Sequence, residues 1–118
     1  VVIGDKDEIQ RVVTNLIDNA IKYTEKGEIH LFLEQRDAFI EFAVKDTGVG
    51  IGLPKDQFGK LFERFFQERP MVDGAGVGLA ICKNIIDVHK GTLWAESEGR
   101  GNGSTFKFTL PIAQQAIS

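Results

Sequence analysis

A chain of 118 residues is long enough for one domain and too short for two. Its 42% hydrophobic and 26% charged residues are ordinary for a globular protein, and a formal net charge of −3 argues against a nucleic-acid binder. The single Cys82 excludes an internal disulfide, and no apolar run approaches the roughly 18 residues that cross a membrane.

Val1 to Ile3 is a short apolar run, a strand or a lead-in. The chain opens on VVIGD without an initiator methionine or a signal peptide, as a piece of something longer would. Asp5 to Tyr23 is predicted as a helix, capped by Asp5 with Glu8 three residues on. Ile9, Val12, Val13, Leu16, Ile17, Ala20 and Ile21 recur at helical spacing and form its apolar face. Asn15, Asn19 and Lys22 fall within about 60° of one another beside that face. Asparagine is a mediocre helix former. Two of them stacked with a lysine suit a site built into the edge of the core, and equally suit a solvated polar face.

Glu28 to Gln35 and Ala38 to Asp46 alternate as strands and are joined through Arg36-Asp37, so an antiparallel hairpin is expected. DTGVGIG, from Asp46 to Gly52, is a glycine loop on the end of the second strand. Pro54 to Leu61 suits a short helical segment, and FERFFQ from Phe62 to Gln67 is unusually aromatic. Glu68 to Gly74 contains Pro70 and has no periodicity, which reads as a mobile loop. GAGVG, from Gly74 to Gly78, opens onto a helix running to about Lys90, apolar around most of its circumference, with Gly91 as its stop. Thr92 to Glu98 is a strand carrying Trp94. GRGNG is a hairpin loop, and Ser104 to Leu110 turns Phe106, Phe108 and Leu110 inward before Pro111 closes the strand. Ile112 to Ser118 reads as a tail. Hairpins outnumber crossovers in this order. The expected fold is α+β, a two-layer α/β sandwich with helices on one face of a mixed, mostly antiparallel sheet.

Neither glycine segment is a dinucleotide fingerprint, since Leu53 and Leu79 stand where its last glycine belongs. Pro54 likewise excludes a Walker A loop ending at Gly59-Lys60. GAGVG nevertheless precedes a helix, where free backbone N–H groups and the helix dipole favour an anion. It is also the composition of a common flexible turn. Asp46 either caps a turn or accepts a hydrogen bond from an amino group lying on the glycine loop.

NLIDNAIKYT, DTGVGIG, LFERFFQ, GAGVGLAI and GSTFKFTLP occur in an order and spacing that resembles the catalytic, ATP-binding domain of bacterial sensor histidine kinases, a Bergerat-type fold. The resemblance covers about Val1 to Pro111, so residues 1–118 are expected to be one such domain, with an ATP lid at about 66–76 and a tail at 112–118. It implies that Asn15 and Asn19 hold Mg²⁺ against the triphosphate and that Lys22 contacts phosphate, with Asn15 and Lys22 counted as catalytic. Tyr23 would lie beside the nucleotide. Asp46 would take the adenine amine, with Gly48, Gly50 and Ile51 lining that end. Phe62 would head an aromatic box under the lid. Gly74, Gly76, Val77, Gly78 and Leu79 would stand at the phosphates, and Thr105 would reach the adenine. Arg69 is a candidate γ-phosphate contact, more readily read as a solvated loop charge.

The same resemblance implies ATP and Mg as cofactors and a histidine-containing dimerisation domain of the same parent kinase as the phosphate acceptor. It implies a response regulator downstream and a cytoplasmic location, whether or not the parent is membrane-anchored. No nucleic acid, no direct membrane contact and a monomeric isolated domain are expected. The related hydrolases of this fold place a Glu four residues before the last N-box asparagine. Here that position is Asn15, and an amide cannot take a proton as a carboxylate can. This favours phosphoryl transfer over hydrolysis. The alternative is a nucleotide-binding interaction module without transfer. His30, mid-strand, and His89, in the last turn of a helix, read as structural rather than as acceptors.

Overall fold

The computed structural model describes residues 6–24, 26–51, 54–63, 78–99 and 101–111. The opening helix is α1, Lys6–Tyr23, with Asp7 and Glu8 in its first turn and Lys22 in its last, each placed favourably for the helix dipole. The predicted Asp5 cap lies outside the described residues. Strand β1, Ile29–Gln35, and strand β2, Phe39–Asp46, form the expected hairpin, tied where Arg36 N–H donates to the Phe39 carbonyl at 2.7 Å. A 3₁₀ segment, Lys55–Phe62, follows. Helix α2 spans Gly78–Val88, strand β3 Thr92–Glu96 and strand β4 Ser104–Pro111.

The four described strands form one sheet in the order β1-β2-β4-β3, and each neighbouring pair is antiparallel. The expected two-layer α+β arrangement is therefore present, and no parallel pair occurs among these strands. The register puts Val44 opposite Phe106 and Phe42 opposite Phe108, with Leu93 and Ala95 of β3 on the same side. That side is covered. Val12, Leu16 and Ala20 of α1 and Cys82, Ile85 and Ile86 of α2 are buried in one cluster with Val44, Phe106, Phe108 and Leu110. Burying each of the larger side chains stabilises the fold by about 1.5–3 kcal/mol. Phe58 and Leu61 of the 3₁₀ segment join the same cluster, and the Phe62 ring meets Phe106 edge-on at 6.1 Å.

The opposite side of the sheet is open. There Trp94 Nε1 donates to Glu96 at 2.8 Å, and Lys107 bridges Glu96 at 3.4 Å and Glu41 at 3.9 Å. These contacts hold the Glu96 carboxyl below the ordinary range, the Trp94 hydrogen bond first and the Lys107 charge after it. Strand β1 is the outermost described strand beside β2, and its Leu31, Phe32 and Leu33 are exposed.

Helix α2 stops one residue earlier than its glycine suggests. Lys90 takes the left-handed conformation, φ 64°, while Lys90 N–H and Gly91 N–H donate to the Asp87 and Ile86 carbonyls. This is a Schellman stop with Lys90 in the position where Gly91 was expected. The His89 ring nitrogen Nδ1 donates to the Ile85 carbonyl at 2.7 Å in the same turn. His30, exposed on β1, has its Nε2 3.0 Å from the Glu28 carboxylate.

Candidate functional site

Asp46 is the last residue of β2 and points to the helix side of the sheet, where only 3% of it remains exposed. A carboxylate so deeply placed needs hydrogen bonds to offset lost hydration. Gly48 N–H donates to Oδ1 at 2.9 Å, and the Ser104 hydroxyl donates to Oδ2 at 2.8 Å. Each oxygen has a remaining lone pair, so the group is fixed in direction and can still accept from a ligand donor.

The glycine loop after Asp46 is clamped against the turn between β3 and β4. Gly101 N–H donates to the Val49 carbonyl at 2.7 Å, and Gly103 N–H to the Gly48 carbonyl at 3.2 Å. The backbones come so close that side chains do not fit. Gly50 sits at φ 74°, where an added Cβ would fall on the Gly99 carbonyl. Gly103 sits at φ 72°, where a Cβ would fall on the Asp46 carbonyl. Both glycines satisfy a left-handed backbone and a close approach together. Ile51, 4% exposed, anchors the end of this loop in the core.

The second cluster lies on α1. Asn15 and Asn19 are half-buried, one turn apart, beside the buried Leu16 and Ala20, and Lys22 is exposed in the last turn. Tyr23 ends the helix. Asn15 lies on the side of α1 that meets α2, close enough to the Cys82 thiol to act on its pKa. The same thiol lies 3.9 Å from the Val12 carbonyl, which can accept from it. Burial pushes the Cys82 pKa up to about 11, offset in part by the Asn15 hydrogen bond and the Arg11 charge. Cys82 lies four residues, about 6 Å, along α2 from the helix start at Gly78. Leu79, half-buried, packs against the core from that first turn.

Among the described residues, no group of three or more His, Cys, Asp or Glu side chains is disposed to hold a metal ion. The Asn15 and Asn19 amides offer a different donor set. Two amide oxygens on one helix edge suit a small hard cation that takes one or two protein oxygens and fills its octahedron with phosphate and water.

The structure thus sets Asp46, Gly48, Gly50 and Ile51 together, brings Asn15 to the α2 side of α1, and packs Phe62 on Phe106. Gly74, Gly76 and Val77 lie outside the described residues, as do Arg69, the lid expected at 66–76 and the tail. Thr105 departs from expectation. Strand residues alternate, so Thr105 lies on the open side of the sheet, in a hollow of about 250 Å³ shared with Lys45, Glu96 and Lys107. Its neighbour Ser104 is the hydroxyl that meets Asp46. The inward alternation of Phe106, Phe108 and Leu110 already carried this signal, since only Ser104 shares their parity.

Residues 4–114 match the family model described as histidine kinase-, DNA gyrase B- and HSP90-like ATPase. The adaptive-response sensory kinase SasA of Thermosynechococcus vestitus is 45% identical over 94% of this chain, which spans 30% of that relative's length. The mycobacterial sensor histidine kinase MprB superposes with a TM-score of 0.83 at 34% identity, over 93% of this chain and 74% of that one. Full-length ShkA in complex with AMPPNP superposes with a TM-score of 0.81 at 33% identity, over 95% of this chain and 23% of that one.

Proposed function

The chain belongs to the family of histidine kinase-, DNA gyrase B- and HSP90-like ATPases, and on that premise we propose that it binds Mg-ATP and donates the γ-phosphate to a histidine on a separate dimerisation domain of its parent kinase. The observation that carries this reading is the buried Asp46 carboxylate, held by Gly48 and Ser104 on the side of the sheet that the asparagine-bearing helix covers. The remaining lone pairs of Asp46 accept from the exocyclic amine of adenine, and the close-packed glycine loop lets the base lie against backbone.

At the other end, Asn15 and Asn19 would hold Mg²⁺ through their amide oxygens, and Lys22 would add positive charge at the phosphates. An ion held there would supply positive charge against the γ-phosphoryl oxygens. The chain's own part is positioning: it fixes the base, aligns the phosphates along α1 and the start of α2, and leaves the γ-phosphate for an outside nucleophile. Asn15 has no basic oxygen with which to activate water, which favours transfer over hydrolysis. The acceptor histidine and a downstream response regulator are the partners, and the domain works in the cytoplasm.

Calorimetric titration with ATP, with and without Mg²⁺, tests the site in the wild type and in Asn19→Ala. Binding that weakens without Mg²⁺ in the wild type but not in Asn19→Ala is expected; equal affinity in all four titrations rejects it. Acid-labile phosphohistidine on an added cognate dimerisation domain tests the transfer. Steady phosphate release by the isolated chain instead would point to a hydrolase.

A further inference from the structure

Ser97 follows β3 and holds none of the roles assigned to the nucleotide site. Its hydroxyl is fully engaged. It donates to the Gly103 carbonyl at 2.7 Å and accepts from Ile51 N–H and Gly99 N–H, each at 3.1 Å. One donor and two acceptor positions are all that a serine hydroxyl has. The three partners belong to two stretches remote in sequence: Ile51 ends the glycine loop, and Gly99 and Gly103 lie at either end of the β3–β4 turn. No other described side chain joins the glycine loop to this turn in the contacts above; the remaining links, Gly101 to Val49 and Gly103 to Gly48, are backbone only.

We infer that Ser97 is a positioning residue for adenine recognition, acting through the backbone of Ile51 and Gly103. The Gly103 carbonyl it holds belongs to the residue before Ser104, whose hydroxyl orients Asp46. The Ile51 amide it holds closes the loop whose Gly48 amide orients the same carboxylate. One hydroxyl therefore braces the backbone next to both groups that aim Asp46. The inference rests on the reading of Asp46 as the base-binding carboxylate.

Ser97→Ala removes the brace, Ser97→Cys keeps the size while weakening the hydrogen bonds, and Ser97→Thr keeps the hydroxyl. Amide exchange on the ligand-free chain and ATP affinity with Mg²⁺ are measured for each. A core variant at the far end of the sheet, Leu110→Val, is the control for simple loss of stability. Exchange at Ile51 and Gly99 is expected to accelerate in Ser97→Ala and Ser97→Cys while the β1–β2 amides stay unchanged. ATP binding should weaken about tenfold in both, with recovery in Ser97→Thr and no change in Leu110→Val. ATP affinity within twofold of wild type in Ser97→Ala and Ser97→Cys overturns the inference. So does an equal loss in Leu110→Val. A wild-type chain that binds no ATP overturns the functional reading itself, and this inference with it.

Discussion

Replacing Asp46 by asparagine changes one atom and separates recognition from folding. The new side chain keeps an oxygen to accept from Gly48 N–H at the position of Oδ1. Its NH₂ takes the place of Oδ2, and the Ser104 hydroxyl reverses to accept from it across the present 2.8 Å. Both internal hydrogen bonds survive, so stability should change by less than about 1 kcal/mol. Recognition through Oδ2 does not survive, and the retained oxygen loses its charge. A hydrogen bond to a charged acceptor contributes about 1.5–3 kcal/mol, and opposing a donor with a donor in a buried site adds an unsatisfied-group penalty of similar size. Allowing for non-additivity, ATP binding should weaken by about 2–4 kcal/mol, roughly 30- to 1000-fold. Calorimetry with ATP and with an analogue carrying hydrogen in place of the 6-amino group completes a cycle. The wild type should lose the full amount on going to the analogue, and Asp46→Asn should lose almost nothing. Asp46→Asn binding ATP within threefold of wild type, or losing ATP and the analogue equally, would refute the assignment of Asp46 to the amine.

Ser104→Ala should leave Asp46 Oδ2 without its donor, lowering stability by about 1–3 kcal/mol and weakening ATP binding, whereas Thr105→Ala on the open face should leave ATP affinity unchanged; urea denaturation and calorimetry on the pair check this. Gly103→Ala should lower the melting temperature more than Gly101→Ala. Both meet left-handed strain of about 1–2 kcal/mol, but only Gly103 also drives a Cβ onto the Asp46 carbonyl, while nothing lies near Gly101. Cys82 titrates at about 11 folded against an ordinary 9.0, so its contribution is complete below pH 9 and is lost as pH rises toward 11. That is about 2–3 kcal/mol at most, read as the alkaline fall in urea stability of wild type that is missing in Cys82→Val.

The local patterns of the chain carried the elements well, because they depend on neighbours a few residues away. The Val12, Leu16, Ala20 stripe announced α1, and the alternation of Phe106, Phe108 and Leu110 announced β4. Motif resemblance supplied the roles proposed for Asn15, Asn19 and Asp46, which spacing alone left open. What stayed hidden is non-local. Ser97 gains its role from Ile51, 46 residues earlier, through two loops that meet only in the folded chain. The placement of Ser104, rather than Thr105, against Asp46 follows from the strand's alternation, which the resemblance does not carry. Lys90 took the left-handed position expected of Gly91 because hydrogen bonds to Ile86 and Asp87 fix the turn, whatever side chain sits there.

Asn15 and Leu16 are adjacent links of one stiff rod. The rod lays Leu16 into the interior and presents Asn15 at the rim. Side-chain tips lie about 6 Å from the axis of such a rod, so a 20° roll moves them about 2 Å, the whole length of a magnesium–oxygen bond. On the proposed reading of Asn15 as a magnesium ligand, repacking beneath α1 and the choice of ion at the rim would be a single mechanical variable. The same reading predicts that variants selected only for a better-filled interior around Leu16 or Ala20 drift in their preference among divalent ions, measured as ATP affinity with Mg²⁺ against Mn²⁺ and Ca²⁺.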